Sequence, residues 1–437
     1  MNFKLYGQLL RDAPIRRVLL VGMVARFPHS AAGVLLTLHI VMTMDRGYAE
    51  AGVVAALVTI GIAVGAPWRG RRVDTVGLRR ALVPSVVSEA VIWSVVPHVS
   101  YQWVLVLALV GGLFTLPVFS VVRQALGVLA EGEQRRTAFA VDSIATELVF
   151  MMGPALGAVV ATQVSSALGL TLVGLCTAAA GLLLMWFNPP TRSPAAMTAV
   201  EEADDQDAAA AAVVASAPAA IGEASAELAL SGERRPGLRG RVRSALPAGL
   251  SWVTVSVVVV FTVAAGAGLL LSATDVGIVA LLEGTGHSGQ LGLVFACWCA
   301  ASAIGGILYG AMNRRIPPML LLLAMAVLTI PMSFATDTLS LALLSIAPGL
   351  LCAPVLSSAS ERVADLVSEE RRGEAMGWYG SALTSGTALG APATGLAIDA
   401  IGPWAGFSFA GGLVVLMGCL VLTVRAVAHR RAAASVR

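Results

Sequence analysis

A few ionisable side chains stand in the middle of long apolar segments of this 437-residue sequence. Arg26 lies inside the first such segment and Glu147 lies at a similar depth inside the fifth. A charge in these surroundings is costly, so it commonly marks a place where a ligand binds or a proton moves. We predict that Arg26 and Glu147 form an ion pair that a charged ligand or a proton can break. The alternative is a static pair that joins two helices.

Other ionisable residues are further candidates. His29 follows Arg26 by about one helical turn, and Asp275 lies far along the seventh apolar segment. Both are predicted to line an outer vestibule, although a lone histidine is more often a packing residue. Asp142 lies near the start of the fifth segment, where we predict a gate formed with Arg123 at the end of the fourth. No catalytic triad, phosphate-binding loop or zinc-ligand spacing is present, so we predict neither an enzyme nor a cofactor or metal site.

The elements that hold these side chains are predicted to be membrane-spanning helices. The sequence is 57% hydrophobic and 13% charged, whereas soluble domains carry about 25% charged residues. Runs of roughly 20 apolar residues recur, and the bilayer interior forces such runs into helices. We predict an all-α polytopic membrane protein with spans at 16–43, 48–68, 81–98, 102–122, 138–162, 166–187, 249–282, 288–311, 318–336, 338–360, 375–400 and 404–426.

The segment between the sixth and seventh predicted spans has a different composition. Residues 188–248 contain the acidic run EEADDQD, an Ala-rich tract and the basic run RRPGLRGRVR. Such a sequence buries too little apolar surface to fold alone, so we predict a largely disordered cytoplasmic linker. It separates an N-terminal bundle, 1–187, from a C-terminal bundle, 249–437, with six spans in each.

The basic residues predict the orientation of the chain. All but two of the 29 Lys and Arg residues fall in segments on the same side as the N-terminus; the exceptions are Arg26, within a span, and Arg46. Because basic loops stay in the cytoplasm, both termini are predicted to be cytoplasmic. A single lysine among these residues and the Ala-rich linker favour a GC-rich bacterial genome and hence a bacterial inner membrane.

The loop after the second span, WRGRRVDTVGLRR at 68–80, contains five arginines and one acid. Basic side chains hold the loop in the cytoplasm, but this does not account for Asp74 or for the glycines. The segment resembles the loop between helices 2 and 3 of the major facilitator superfamily, G-x-x-x-D-[RK]-x-G-[RK]-[RK]; Thr75 and Leu78 depart from that pattern. The matching positions are Gly70, Asp74, Gly77 and Arg79, and Arg80 extends the basic end. The resemblance implies that Asp74 contacts a helix N-terminus of the opposite half and latches the cytoplasmic side shut.

A second motif lies in the fifth span. MMGPALGA at 151–158 resembles the G-P-x-x-G-G segment of drug:proton antiporters in the same superfamily, matching at Gly153, Pro154 and Gly157. The alternative interpretation is ordinary packing of small residues. A related G-A-P-A-T-G recurs at 390–395, with Gly390, Pro392 and Gly395. The counterpart of the basic loop, GGILYGAMNRR at 305–315, has no acid at the position of Asp74. The resemblance implies two pseudo-symmetric six-helix bundles.

The resemblance implies a secondary transporter that works by alternating access. We predict proton-driven efflux of a small molecule or drug, with no cofactor and the proton gradient as driving force. The alternatives are a proton-coupled uptake symporter, a non-transporting membrane sensor or scaffold, and an integral membrane enzyme. The expected partners are a small-molecule substrate and the lipid bilayer, with no nucleic acid, and the expected oligomeric state is a monomer.

Overall fold

The computed structural model describes residues 4–192, 252–287, 290–312 and 314–434. Residues 1–191 and 256–437 form one compact unit. Residues 192–255 form a separate unit, nearly all of it outside the described residues, and most of the predicted linker lies there. The predicted division of the chain at 187 and 249 therefore stays a prediction.

The first half of the chain forms eight helices. They are α1 (Lys4–Arg11), α2 (Ala13–Leu38), α3 (Tyr48–Val76), α4 (Leu78–Val95), α5 (Tyr101–Phe114), α6 (Val118–Leu129), α7 (Gly132–Val160) and α8 (Ser166–Phe187). Short π-helical turns follow α2 and α7. Helices α5 and α6 are the two parts of the fourth predicted span, so the half makes six passes.

In the described residues 252–287, 290–312 and 314–434, the second half forms six α-helices that make the other six passes. They are α9 (Val255–Gly284), α10 (Leu291–Gly310), α11 (Pro318–Thr329), α12 (Thr338–Leu366), α13 (Arg372–Ile401) and α14 (Ala405–Ala434). Nine segments of the described residues are long and apolar enough to span a bilayer, and one of them, Gly132–Phe187, contains both α7 and α8. The shorter apolar segment Pro318–Phe334 and the Gly- and Ser-containing α13 complete the twelve passes.

The helix ends follow from local sequence. Asp12 caps α2, and Ser165 caps α8, because each side chain accepts a backbone N–H three residues ahead. At α12 the Ser340 amide donates to Asp337 at 2.7 Å, and this bond lowers the pKa of the Asp337 carboxyl group. Gly77 has a φ of 79°, which lets the chain turn sharply between α3 and α4.

The fourth pass is broken between Phe114 and Val118, where the backbone leaves the helical conformation. Arg69 of α3 donates to the carbonyl oxygens of Gly112 and Leu113, and the Leu116 amide donates to the Glu89 carboxylate at 3.1 Å. Backbone groups freed inside a bilayer need such partners. The two buried charged residues therefore stabilise the break.

Several helices extend past their predicted ends on the side of the arginine-rich turns. We call this side, which holds the turns around Gly77, Ala130, Ile316 and Ser368, the basic end, and the opposite side the far end. There α3 reaches Val76, α6 reaches Leu129 and α12 reaches Leu366. Hydropathy ended the predicted spans too early because these turns of helix carry charges that are buried between helices.

The two halves contact each other through corresponding helices. Helix α3 packs on α13, and α7 packs on α10 and α12. Within the halves, α2 packs on α7 and α8, and α12 packs on α10 and α11. The interface between the halves is therefore lined mainly by α3, α7, α10, α12 and α13.

The glycine motifs bring pairs of helices close together. A Cβ on Gly153 would lie 2.8 Å from the Cβ of Ser30 on α2, and one on Gly157 would lie 3.3 Å from the Cβ of Ala31. In the second half, Gly390 and Gly386 likewise lie directly against the backbone of α9. Gly153, Gly157 and Gly390 therefore lie where helices pack closely, and Pro154 lies half-buried between the two glycines of α7.

Gly395 and Pro392 do not take part in this packing, contrary to the prediction. A Cβ on Gly395 would meet no atom within 4 Å, and Pro392 is exposed. The reason is helical spacing: Gly386 and Gly390 are four residues apart and share one face of α13, whereas Gly395 has rotated away from it.

We predict that Gly390→Ala destabilises the protein and that Gly395→Ala does not. The added methyl at residue 390 would lie about 3.0 Å from the Leu269 Cα, an overpacking that costs about 1–3 kcal/mol. The same change at residue 395 meets open space. Thermal unfolding of both variants in detergent measures the difference, and equal midpoints would contradict the packing described above.

Candidate functional site

Two faces of α7 carry polar residues with different partners. Asp142, Thr146 and Gly153 repeat at helical spacing and face α2, where Arg26 and Ser30 lie. Arg136, Ser143 and Glu147 belong to another face, which is directed at the second half of the chain. This division of α7 decides which charges meet.

Arg26 pairs with Asp142, not with Glu147 as predicted. Its Nη1 atom donates to Asp142 Oδ1 at 2.6 Å and to Thr146 Oγ1 at 3.0 Å. The side chains of Arg26 and Asp142 are each 1% exposed. The prediction was wrong because Asp142 and Glu147 are five residues apart, which places them about 140° apart around the helix.

Arg123 joins this pair from α6 and confirms the predicted contact with Asp142. Arg123 Nε lies 3.3 Å from Asp142 Oδ2, and both side chains are buried. Arg123 and Asp142 lie deeper than the predicted span ends suggested, because α6 and α7 each extend further toward the basic end. We call these three residues the Arg26–Asp142–Arg123 cluster.

Aromatic rings cover the two cations of this cluster. The Arg26 guanidinium lies 4.6 Å from the ring centroid of Phe119, and that of Arg123 lies 5.2 Å from the ring of Tyr379. Such contacts stabilise a desolvated cation by about 0.5–2 kcal/mol. Tyr379 belongs to α13, so the cluster of the first half also contacts the second half.

Glu147 lies at the interface between the halves without a charged partner. Its two carboxylate oxygens are inaccessible to solvent, and neither forms a hydrogen bond of ordinary geometry with any described residue. Ser302 of α10 and Cys352 of α12 lie beside the carboxyl group. Cys299, one turn from Ser302, is within electrostatic reach of both Glu147 and Asp275.

The remaining two candidates of the interior differ in position. Asp275 on α9 lies at the surface of the packed helices and within electrostatic reach of Cys299. His29 does not line an outer vestibule as predicted. It faces a small internal cavity of the first half that it shares with Arg26 and Phe119, because it stands on the same face of α2 as Arg26.

Asp74 binds the N-terminus of α13, as the resemblance implied. Its carboxylate accepts the backbone N–H groups of Gly373 at 3.0 Å and of Glu374 at 2.8 Å, and the side-chain amide of Gln124 at 2.8 Å. Asp74 is 4% exposed. A helix N-terminus favours an anion through its free N–H groups and its dipole. We call this contact the first latch.

Glycines allow the first latch to form. Gly70 lies directly against the carbonyl of Gly373, and a Cβ on Gly377 would lie 2.8 Å from the carbonyl carbon of Ala66. Any side chain at these positions would separate α3 from α13. The other motif residues act within the first half: Gly77 forms the turn, Arg79 Nε donates to the Met185 carbonyl at 2.9 Å, and Arg80 is exposed.

A second latch joins the start of α7 to the turn after α10, which correspond to the start of α13 and the turn after α3 in the first latch. We did not predict it from the sequence. Arg136 of α7 donates to the carbonyls of Met312 and Arg314 in the turn after α10, and Thr137 donates to the Gly310 carbonyl at 2.8 Å. Here the turn supplies carbonyl acceptors and the helix supplies the cation. The turn after α10 has no acid at the position of Asp74, and its backbone carbonyl groups make the contact with the helix start instead.

Acids of α12 complete the second latch. Glu361 lies 3.6 Å from Arg136 and 3.3 Å from Arg315, and Asp365 pairs with Arg135 at 3.2 Å and with Arg315 at 2.5 Å. The sequence does carry one signal for it: the segments EQRR at 133–136 and EERR at 369–372 place an arginine near the start of both α7 and α13.

The hydrogen bonds and ion pairs between the halves are concentrated at the basic end. Further along the helices the Ser381 hydroxyl donates to the Ala63 carbonyl at 2.6 Å, and Ser357 bonds to Ser143 at 2.9 Å. The Tyr6 hydroxyl of α1 adds a bond to the Ile307 carbonyl at 2.8 Å. The structure is therefore closed at the basic end.

Twelve helical passes in two halves, closed at one end by paired latches, define a polytopic membrane protein. The chain belongs to the Major Facilitator Superfamily, whose family model matches residues 18–335 and 257–436. It is therefore a transporter of small molecules and not an enzyme.

Solved structures share this fold at low sequence identity. The human organic anion transporter MFSD10 (TETRAN) is 19% identical, with a TM-score of 0.66 over 94% of this chain and 100% of that one. The proton:xylose symporter XylE, bound to 6-bromo-6-deoxy-D-glucose, is 14% identical, with a TM-score of 0.64 over 94% of this chain and 96% of that one. No curated protein sequence matches the chain.

We predict that Asp74→Ala opens the basic end. The change removes hydrogen bonds to a charged acceptor, each of which contributes about 1.5–3 kcal/mol, so the open population should rise at least tenfold. Spin labels at the exposed positions 80 and 370, in a cysteine-free background, would report a longer distance by double electron–electron resonance. Asp337→Ala at the far end is the control, and unchanged distances in Asp74→Ala would argue against the latch.

We predict that Asp142→Asn destabilises the protein far more than Glu147→Gln does. Without Asp142, Arg26 and Arg123 are two buried cations with no acid, a loss of about 3–5 kcal/mol. The Glu147 carboxylate has no salt-bridge partner among the described residues that its substitution would leave unpaired. Thermal unfolding in detergent compares the two variants, and equal stability would show that the Arg26–Asp142–Arg123 cluster is not a structural ion pair.

Proposed function

We propose that the protein is a proton-driven exporter of small molecules in which Glu147 carries the coupled proton. The observation that supports this most directly is the position of Glu147: an acid at the middle of α7, at the interface of the halves, beside the neutral Ser302 and Cys352 and without an ion-pair partner among the described residues. Ionisable groups in this position are commonly part of a proton or ion pathway.

The pairing of Arg26 strengthens this assignment. Because Arg26 pairs with Asp142, it is not the partner of Glu147, and no described arginine forms a salt bridge with Glu147. A charged carboxylate in a low-dielectric interior needs a compensating positive charge. Either a proton or a cationic group of the substrate can supply it. Two ligands that compete for one carboxylate produce exchange, since the arrival of one requires the departure of the other.

The same reasoning favours cationic substrates over anionic ones. The groups beside Glu147 are the neutral Ser302 and Cys352, and Cys299 lies within electrostatic reach of both Glu147 and a second acid, Asp275. An organic cation with an apolar body would find carboxylates for its charge and apolar helix surfaces for the remainder. We propose this class of substrate.

The proposed direction rests on the charge of the two ends. Basic loops favour the cytoplasmic side, so we assign the basic end to the cytoplasm and, with the arginine-rich composition, the protein to a bacterial inner membrane. In this assignment the present conformation is closed to the cytoplasm. Opening of both latches would admit the substrate from the cytoplasm, and proton binding to Glu147 from outside would release it.

The test uses proteoliposomes with an acidic lumen and a panel of lipophilic cations, organic anions and sugars. We expect protons to leave the lumen as a cation enters it. Movement of protons and substrate in the same direction would establish symport instead, and a response to anions alone would exclude the proposed substrate class.

We predict that Glu147→Gln abolishes this proton movement. Glutamine has nearly the shape of a protonated glutamate but cannot release the proton, so both the proton step and cation binding are lost. Glu50→Gln, an exposed residue at the far end, is the matched control. Gradient-driven transport that persists in a folded Glu147→Gln variant would remove Glu147 from the mechanism.

A further inference from the structure

The first half contains a small internal cavity between α2, α6 and α8, beside the break in the fourth pass. Its volume is about 10 Å³, close to the room that one water-sized particle requires. Arg26, His29, Phe119 and Thr177 line it together with apolar side chains. The cavity lies within one half, and neither Glu147 nor a latch residue is among its lining residues.

Hydrogen-bond donors of the cavity wall lack partners. Arg26 Nε, Arg26 Nη2 and Thr177 Oγ1 are buried and bond to no described residue, and Arg26 and Thr177 are each 1% exposed. Buried polar groups are rarely left unsatisfied. Thr171 on the same helix shows the usual arrangement, since its hydroxyl donates to the Ala167 carbonyl at 3.1 Å. When the hydroxyl of a buried threonine in a membrane helix does not make this bond, we expect it to bind another group.

The charges around the cavity do not balance. The Arg26–Asp142–Arg123 cluster holds two cations and one anion, all buried. The next charged groups, Arg69 and Glu89, face the helix break and offset each other in sign. Within this cluster the cations therefore outnumber the acid by one, and the ring of Phe119 provides partial compensation at Arg26. An uncompensated buried charge is strongly destabilising.

We propose that this cavity binds one small monovalent anion of the halide class, held by Arg26 and the Thr177 hydroxyl. Guanidinium and hydroxyl donors suit such an ion, because both present N–H or O–H groups without a competing carboxylate on the cavity side. Larger anions such as phosphate do not fit the volume. The site is independent of substrate and of the proposed proton carrier.

The first experiment measures thermal stability of the purified protein in sodium chloride, sodium bromide and sodium gluconate at equal ionic strength. We expect a saturable rise in the unfolding midpoint with both halides and none with gluconate, because a ligand that binds the folded state stabilises it. Equal midpoints in the three salts would overturn the proposal.

Variants of one helix separate the site from general salt effects. Thr177→Val keeps the side-chain shape but removes the donor, and we expect halide binding to weaken about tenfold, since hydrogen bonds to charged groups contribute about 1.5–3 kcal/mol. Thr171→Val is the matched control. Thr177→Ser keeps the hydroxyl group, so we expect this variant to bind halide as the unsubstituted protein does. Equal halide responses of Thr177→Val and Thr171→Val would contradict the site.

Bromide makes the occupant directly visible. Crystals grown in sodium bromide should show an anomalous peak between Arg26 and Thr177 that is absent from crystals of Thr177→Val. Density for a water molecule without an anomalous signal would show that the cavity holds solvent only, and the proposal would then be wrong.

Discussion

Every charge buried among these helices must be compensated, and this constraint organises the interior. The bilayer and the packed helices offer little water, so an unpaired ion costs several kcal/mol. Arg26 and Arg123 therefore converge on Asp142, Asp74 binds the amides at the start of α13, and Arg69 and Glu89 bind the open backbone of the fourth pass. Against this background Glu147 stands out, since compensation has to arrive from outside the protein.

The two latches show how one architecture accommodates different sequences in its two halves. In the first, an acid of the turn meets the backbone N–H groups at a helix start; in the second, carbonyls of the turn meet an arginine side chain at a helix start. Gln124 supports the first by donating to Asp74, and Glu361 supports the second by pairing with Arg136. Donor and acceptor roles are thus exchanged between the two latches, and each turn is bound to a helix start although the residues differ.

The sequence was sufficient for the helical class, the twelve passes and the contact of Asp74, because hydropathy and a distinctive loop motif report these directly. It placed the span ends too early, since a hydropathy pattern treats Arg123 as belonging to water when the fold buries it beside Asp142. It paired Arg26 with the wrong acid of α7, because depth in the membrane is readable from position but the facing direction depends on how α7 packs against α2. The second latch has no sequence motif of its own, because its acceptors are backbone carbonyl groups, which every residue carries.

The bonds that close the basic end are of a kind that transport can reverse. Each net hydrogen bond contributes about 0.5–1.5 kcal/mol, or somewhat more to a charged group, and water can replace each of them when the halves separate. The glycine contacts between α3 and α13 are close and in part apolar. Among the described residues, no group of metal-ligating side chains ties the halves together. The total holding energy is therefore several kcal/mol, which is the range in which loss or gain of one ligand at a site such as Glu147 can shift the population between two conformations. A much stronger closure would trap the protein in one state, and a weaker one would leave both ends open together.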